Sequence, residues 1–279
     1  MELHIKTSPP PENRVISYHK IRLAVGIIGM LLPLSLWFLN TIINESGILH
    51  NPFWITFSDG YDPGDNLKDS ISHFYYSTVG ELFTGALCAV SLFLFCYRGY
   101  DRPAYGKYHK IPGDNFMCNF AGAMALLVVI FPTSSEPITD NFRAFVATDA
   151  TGYIHYGAAV LFFVALSIIS FVNFRRTKEP ENFGKNESHK YFKYSAIIMF
   201  GCMLILLIIF ILHKLKLDVS WSDDLNLTYW LELVMLIAFG ISWTIKGQID
   251  QQLFHTNYFG NGVLKKQKTT STDFEKKQL

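Results

Sequence analysis

The side chains best suited to chemistry in this sequence gather in one stretch. Asp69, His73, Ser77 and Glu81 recur at every fourth position, with Ser70 and Thr84 on nearly the same face and Ser72 beside His73. On an α-helix each such step drifts by only about 40°, so the four side chains would form one slowly winding polar stripe. The helical rise would set Glu81 about 15 Å below Asp69. Further along the chain, Ser134 follows Phe131-Pro132-Thr133, His155 stands between Tyr153 and Tyr156, and Glu232 follows Tyr229-Trp230-Leu231. Neutral imidazole and carboxylate are ordinary zinc ligands, and an open coordination position would activate water. A zinc cofactor would therefore take His73, His155 and Glu232 as metal ligands. Asp69 would orient an imidazole, and Ser72 or Ser134 would hold water or an oxyanion. There is no H-E-x-x-H run, so only the packing of separate helices could bring these ligands together. A plainer account competes for His73 and His155, because His, Tyr and Trp collect at membrane interfaces. That account does not reach the depth of Glu81.

These residues need a bundle of membrane helices to position them. Of the 279 residues, 50% are hydrophobic and 17% charged, and the mean hydropathy is +0.21. That is too little charge to cover so much apolar surface in water. A span takes about 20 apolar residues, and six such stretches stand out, at about 23–43, 71–97, 115–132, 153–174, 192–213 and 228–246. None alternates like a barrel strand, and lipid forces backbone groups to bond within the segment, so each is read as a helix. The expected fold is all-α: residues 1–20 as an N-terminal tail, 21–246 as a six-helix transmembrane bundle, and 247–279 as a polar, disordered tail. A stripe as deep as Asp69 to Glu81 would then face the bundle interior. The net charge of +1 gives no basic excess for nucleic acid, so that class of partner is excluded.

Lys and Arg set the orientation. Lys68, Arg143, Lys214 and Lys216 fall in one set of loops, and every other Lys and Arg of the 24 falls in the alternate set or at the termini. Both termini are expected in the cytoplasm, with the polar stripe opening to the outer face. The positive-inside bias and short loops suit a multi-pass protein of the cell membrane, such as a bacterial inner membrane. The first span exceeds a signal-peptide core and lacks a small-x-small cleavage site, so it should remain as an anchor. Its Pro33 should bend the helix locally. Cys88, Cys96, Cys118 and Cys202 all fall in spans and are expected as free thiols. The sequons at Asn44, Asn186 and Asn226 read as chance. The Lys-rich end of the chain would be drawn to anionic lipid.

Four short runs carry a family resemblance. They are Asp69-Ser70-Ile71-Ser72-His73, Gly80 to Leu87, Phe131-Pro132-Thr133-Ser134, and His155-Tyr156-Gly157-Ala158 running to Phe162-Phe163. Together they resemble a widespread uncharacterised prokaryotic family of six-helix membrane proteins, itself similar to the DRAM-like membrane proteins of eukaryotes. That family often carries acidic residues where His73 and Ser134 stand here. The resemblance implies the six-helix fold and an outer polar cluster, without a defined activity. A looser likeness to the seven-span zinc hydrolases, which include alkaline ceramidases, fails on helix count and on the lack of a histidine in the last span.

Three functions follow. The first is a membrane protein whose outer cavity binds or senses a lipid or other hydrophobic ligand through Asp69, Ser70, Ser72, His73, Ser77, Glu81, Ser134, His155 and Glu232. The second is a zinc-dependent membrane lipid hydrolase or transferase built on His73, His155 and Glu232. The third is a proton-coupled carrier with Glu81 as its protonatable site near the midplane.

Overall fold

A computed structural model describes residues 18–46, 64–103, 105–106, 108–134, 148–176 and 188–255 of the chain. Among them all regular structure is helical. In chain order the α-helices are α1 (Tyr18–Glu45), α2 (Gly80–Cys96), α3 (Asp114–Ile130), α4 (Asp149–Phe171), α5 (His189–Lys214), a short α6 (Ser220–Asp224) and α7 (Leu227–His255). Two 3₁₀ segments, Ile71–Tyr76 and Asn173–Arg175, precede α2 and follow α4. The long helices pack as a closed ring in which each contacts the next and α7 returns to α1.

Four helices are long and apolar enough to cross a membrane: Lys20–Glu45, Asp149–Arg175, His189–Lys214 and Leu227–Gly247. The other two, α2 and α3, are apolar but have 17 residues each, about 25 Å against a hydrocarbon core of about 30 Å. The ring buries Leu36, Phe83, Leu94, Ala121, Phe162, Leu166, Met199, Phe239 and Trp243. Its outside is also apolar, with Leu31, Phe38, Leu92, Val160, Leu204 and Leu207 all exposed. Such a surface suits hydrocarbon and not water. All four cysteines are free, as expected.

Two expectations need correction. The continuous second helix does not form, because serines at both ends of the 3₁₀ segment compete for the backbone. Ser70 caps its start, its side chain accepting the His73 N–H. Ser77 turns extended at its end, donates to the Phe74 carbonyl at 2.8 Å and accepts the Val79 N–H. The one-helix stripe from Asp69 to Glu81 is thereby broken. At the other end of the chain, α7 continues to His255, so the stretch after residue 246 begins as helix. Residues 256–279 lie outside the described residues.

Glycine sets the closest helix contact. A Cβ on Gly240 of α7 would run into Met30 and the Gly26 carbonyl of α1, and a Cβ on Gly26 would meet Thr244 and the Gly240 carbonyl. Small residues at a crossing let backbones approach where lipid supplies no hydrophobic drive. At the basic end of the ring, the buried Asp114 carboxylate accepts from the Tyr100 N–H at 3.0 Å and the Asn173 amide at 2.9 Å, and pairs with Arg176 at 3.5 Å. Arg22 donates to the Tyr97 hydroxyl at 2.9 Å and lies over its ring. Gly240→Leu is expected to cost about 1–3 kcal/mol or more by overpacking, read as an earlier thermal transition in detergent. Gly201→Leu, with nothing within 4 Å of its Cβ, should leave the transition in place.

Candidate functional site

The site begins with a proline. In α3 the Val128 carbonyl would ordinarily accept from the N–H of residue 132, but Pro132 has none. The chain leaves the helix at Phe131, with φ −109° and ψ 91°. His155, on the second turn of α4, fills the gap. Its Nδ1 lies 2.9 Å from the Phe131 carbonyl and 3.1 Å from that of Val128. Carbonyls only accept, so Nδ1 carries the proton and Nε2 is left as an acceptor. The Ser72 hydroxyl, 2.9 Å from Nε2, donates to it. His155 is 2% exposed and Ser72 half-buried.

Three bonds hold Ser72 in place across the helix ends. The Tyr229 N–H of α7 donates to the Asp69 carbonyl at 2.9 Å. The Ile71 N–H, one of the unpaired donors at the start of the 3₁₀ segment, donates to the Glu232 carboxylate at 2.7 Å. The Tyr76 hydroxyl donates to the Thr133 carbonyl. The loop after α3 lies close on α4 because Gly152 lacks a side chain, and a Cβ there would crowd Ser134 at 3.2 Å. At the open edge Thr133 donates to the Tyr156 hydroxyl at 3.0 Å, with the Ser134 hydroxyl 3.5 Å from the same oxygen. Tyr156 is exposed.

The residues expected from sequence divide into two groups. Ser72 and His155 meet at this site, Ser134 lies against Tyr156, and His73 lies beside Ser70, whose Oγ is 3.1 Å from its Nδ1. Burial pushes the His73 imidazole below its ordinary range, opposed by the Asp69 charge and the Ser134 backbone. Ser70, Ser77 and Glu232 serve as caps of the 3₁₀ segment. Asp69 is exposed and contributes its carbonyl. Glu81 is exposed in the first turn of α2, outside the interior assumed for the carrier. The zinc expectation on His73, His155 and Glu232 gains no geometric support, since Glu232 binds the Ile71 N–H. Among the described residues no three His, Cys, Asp or Glu side chains form a metal-holding group. Sequence reasoning placed Thr133 and Tyr156 at the same helix ends but did not count them among the site residues, although Phe-Pro-Thr at a helix end was the signal.

In comparisons with family models, curated proteins and solved structures, nothing matches this chain.

His155→Ala would strip two carbonyls of their donor, at about 1–3 kcal/mol for each buried acceptor left bare. Ser72→Ala leaves a single buried acceptor bare, His155 Nε2, and should cost about 1–3 kcal/mol, roughly half the loss in His155→Ala. Thermal unfolding in detergent reads the difference, and equal losses would contradict the assigned roles. His73 is favoured neutral in the fold, so its share of stability is complete above about pH 6.5 and declines as the pH falls. Melting curves taken between about pH 7.5 and 5 should show that decline, and His73→Gln should flatten it.

Proposed function

We propose that this chain is a six-span protein of the cell membrane, with both termini cytoplasmic, that binds the polar head of a lipid or similar amphiphile at its outer face. The observation that carries the reading is the hydrogen-bonded chain from the Val128 and Phe131 carbonyls through His155 to Ser72. Beside it, with the Tyr156 ring 5.8 Å from that of His155, the Thr133, Ser134 and Tyr156 hydroxyls cluster, and Tyr156 is the exposed member. Polar groups placed beside an apolar, lipid-suited surface are the pairing an amphiphile requires.

Supporting the span count, α2 and α3 fall only slightly short of the hydrocarbon thickness, and the 3₁₀ segment lengthens the polar approach to α2. Supporting the orientation, Arg22, Arg176 and Lys246 collect at the end of the ring opposite Ser72, as the positive-inside rule requires of a cytoplasmic face. The Lys-rich residues beyond His255 add an anionic-lipid contact to this reading. The likeness to the six-helix family similar to DRAM-like proteins belongs to it too, because the runs at Ser72, Phe131–Ser134 and His155 meet in space.

The test is lipid retention. Native mass spectrometry of the full chain released from mild detergent should show bound lipid. Ser134→Leu together with Tyr156→Leu, which replaces the polar edge, should reduce the bound fraction by about 10-fold, equivalent to roughly 1.4 kcal/mol. Folded wild-type protein that carries no lipid would overturn the reading.

A further inference from the structure

The pairing of Ser72 with His155 has the geometry of an activated nucleophile. A serine attacks carbonyl carbon only when a base takes its proton, and the base must present an unprotonated nitrogen within hydrogen-bonding reach. Both conditions hold. The distance from Ser72 Oγ to His155 Nε2 is 2.9 Å, and the two carbonyls on Nδ1 exclude the tautomer that would block Nε2. In the familiar triad a carboxylate orients the imidazole and stabilises the imidazolium. Here the orienting groups are the carbonyls at the C-terminal end of α3, where the helix dipole presents partial negative charge. The Tyr156 hydroxyl accepts the Thr133 proton, which leaves its own proton to donate at the same edge.

We infer that Ser72 is a catalytic nucleophile and His155 its general base, hydrolysing an ester bond of a membrane amphiphile without a metal ion. The inference rests on the amphiphile-binding reading and deepens it. In the first half-reaction the Ser72 proton passes to His155 Nε2 while Oγ bonds to the acyl carbon. The C–O bond to the alcohol then breaks, and the alcohol leaves with the proton from Nε2. In the second, water gives a proton to Nε2 and adds to the acyl carbon. The bond to Ser72 Oγ breaks and takes that proton, so ester and water become acid and alcohol with no change of oxidation state.

The experiment is covalent labelling of the full chain in detergent with a long-chain alkyl fluorophosphonate, read by intact mass and peptide mapping, beside lipid retention on the same sample. Wild type should gain one adduct, mapped to Ser72. Ser72→Ala should gain none while still showing a cooperative melting transition. His155→Gln should label about 100-fold more slowly, the scale of a general base. For wild type the labelling rate should rise with pH through the titration of His155. A folded wild type that retains lipid but forms no adduct overturns the nucleophile and leaves the binding reading intact. An adduct that persists in Ser72→Ala overturns it as well. An adduct at Ser72 without retained lipid upholds the nucleophile and overturns the lipid reading.

Discussion

The missing amide proton of Pro132 is the constraint on which the site depends. A helix ending in a membrane protein leaves carbonyls that lipid cannot satisfy, and each bare one is expensive. Pro132 removes the donor that Val128 would have used and turns the chain out of α3. The nearest polar ring on α4, His155, supplies the bond, and this fixes its tautomer and its orientation together. Nε2 then needs a donor, which Ser72 provides. A local backbone shortage thus dictates which atoms of two side chains face one another across different helices.

That dependence explains why the segment before α2 lies across the helix ends and does not extend α2. Capping by Ser70, Ser77 and Glu232 holds a short 3₁₀ turn whose second residue is Ser72. Had Ile71–Cys96 been one straight helix, a residue at position 72 would have been set by helical phase, with no requirement to meet His155. At the basic end a different device closes the ring, with Asp114 binding Tyr100, Asn173 and Arg176. The two ends therefore divide the work: one polar cluster is enclosed by backbone and side-chain partners, and the other opens at Tyr156.

Much of the architecture was legible in the sequence, because apolar runs of membrane length and their Lys and Arg flanks report directly on the solvent each segment prefers. The ends of helices were less so. Glu81 looked interior on helical phase alone, yet serine side chains reset that phase at Ser77, a competition that periodicity does not register. Glu232 has the right chemistry for a metal, but its carboxylate is committed to the Ile71 N–H across 161 residues of chain, which no local pattern encodes. Asp114 lies one residue before the expected span 115–132, yet it is 1% exposed, a burial that no local pattern marks. His155 and Ser72 were each identified, but their pairing depends on the proline in a third segment.

The central claim is the protonation of one nitrogen. Nitrogen-15 NMR of histidine-labelled protein in lipid bicelles, with His155 assigned by its loss in His155→Gln, reads which ring nitrogen bears hydrogen. The account predicts a neutral His155 protonated at Nδ1, with Nε2 as the acceptor from Ser72, and an Nε2 resonance that shifts in Ser72→Ala. A His155 protonated at Nε2, or one whose signal ignores Ser72→Ala, would contradict the account at its root.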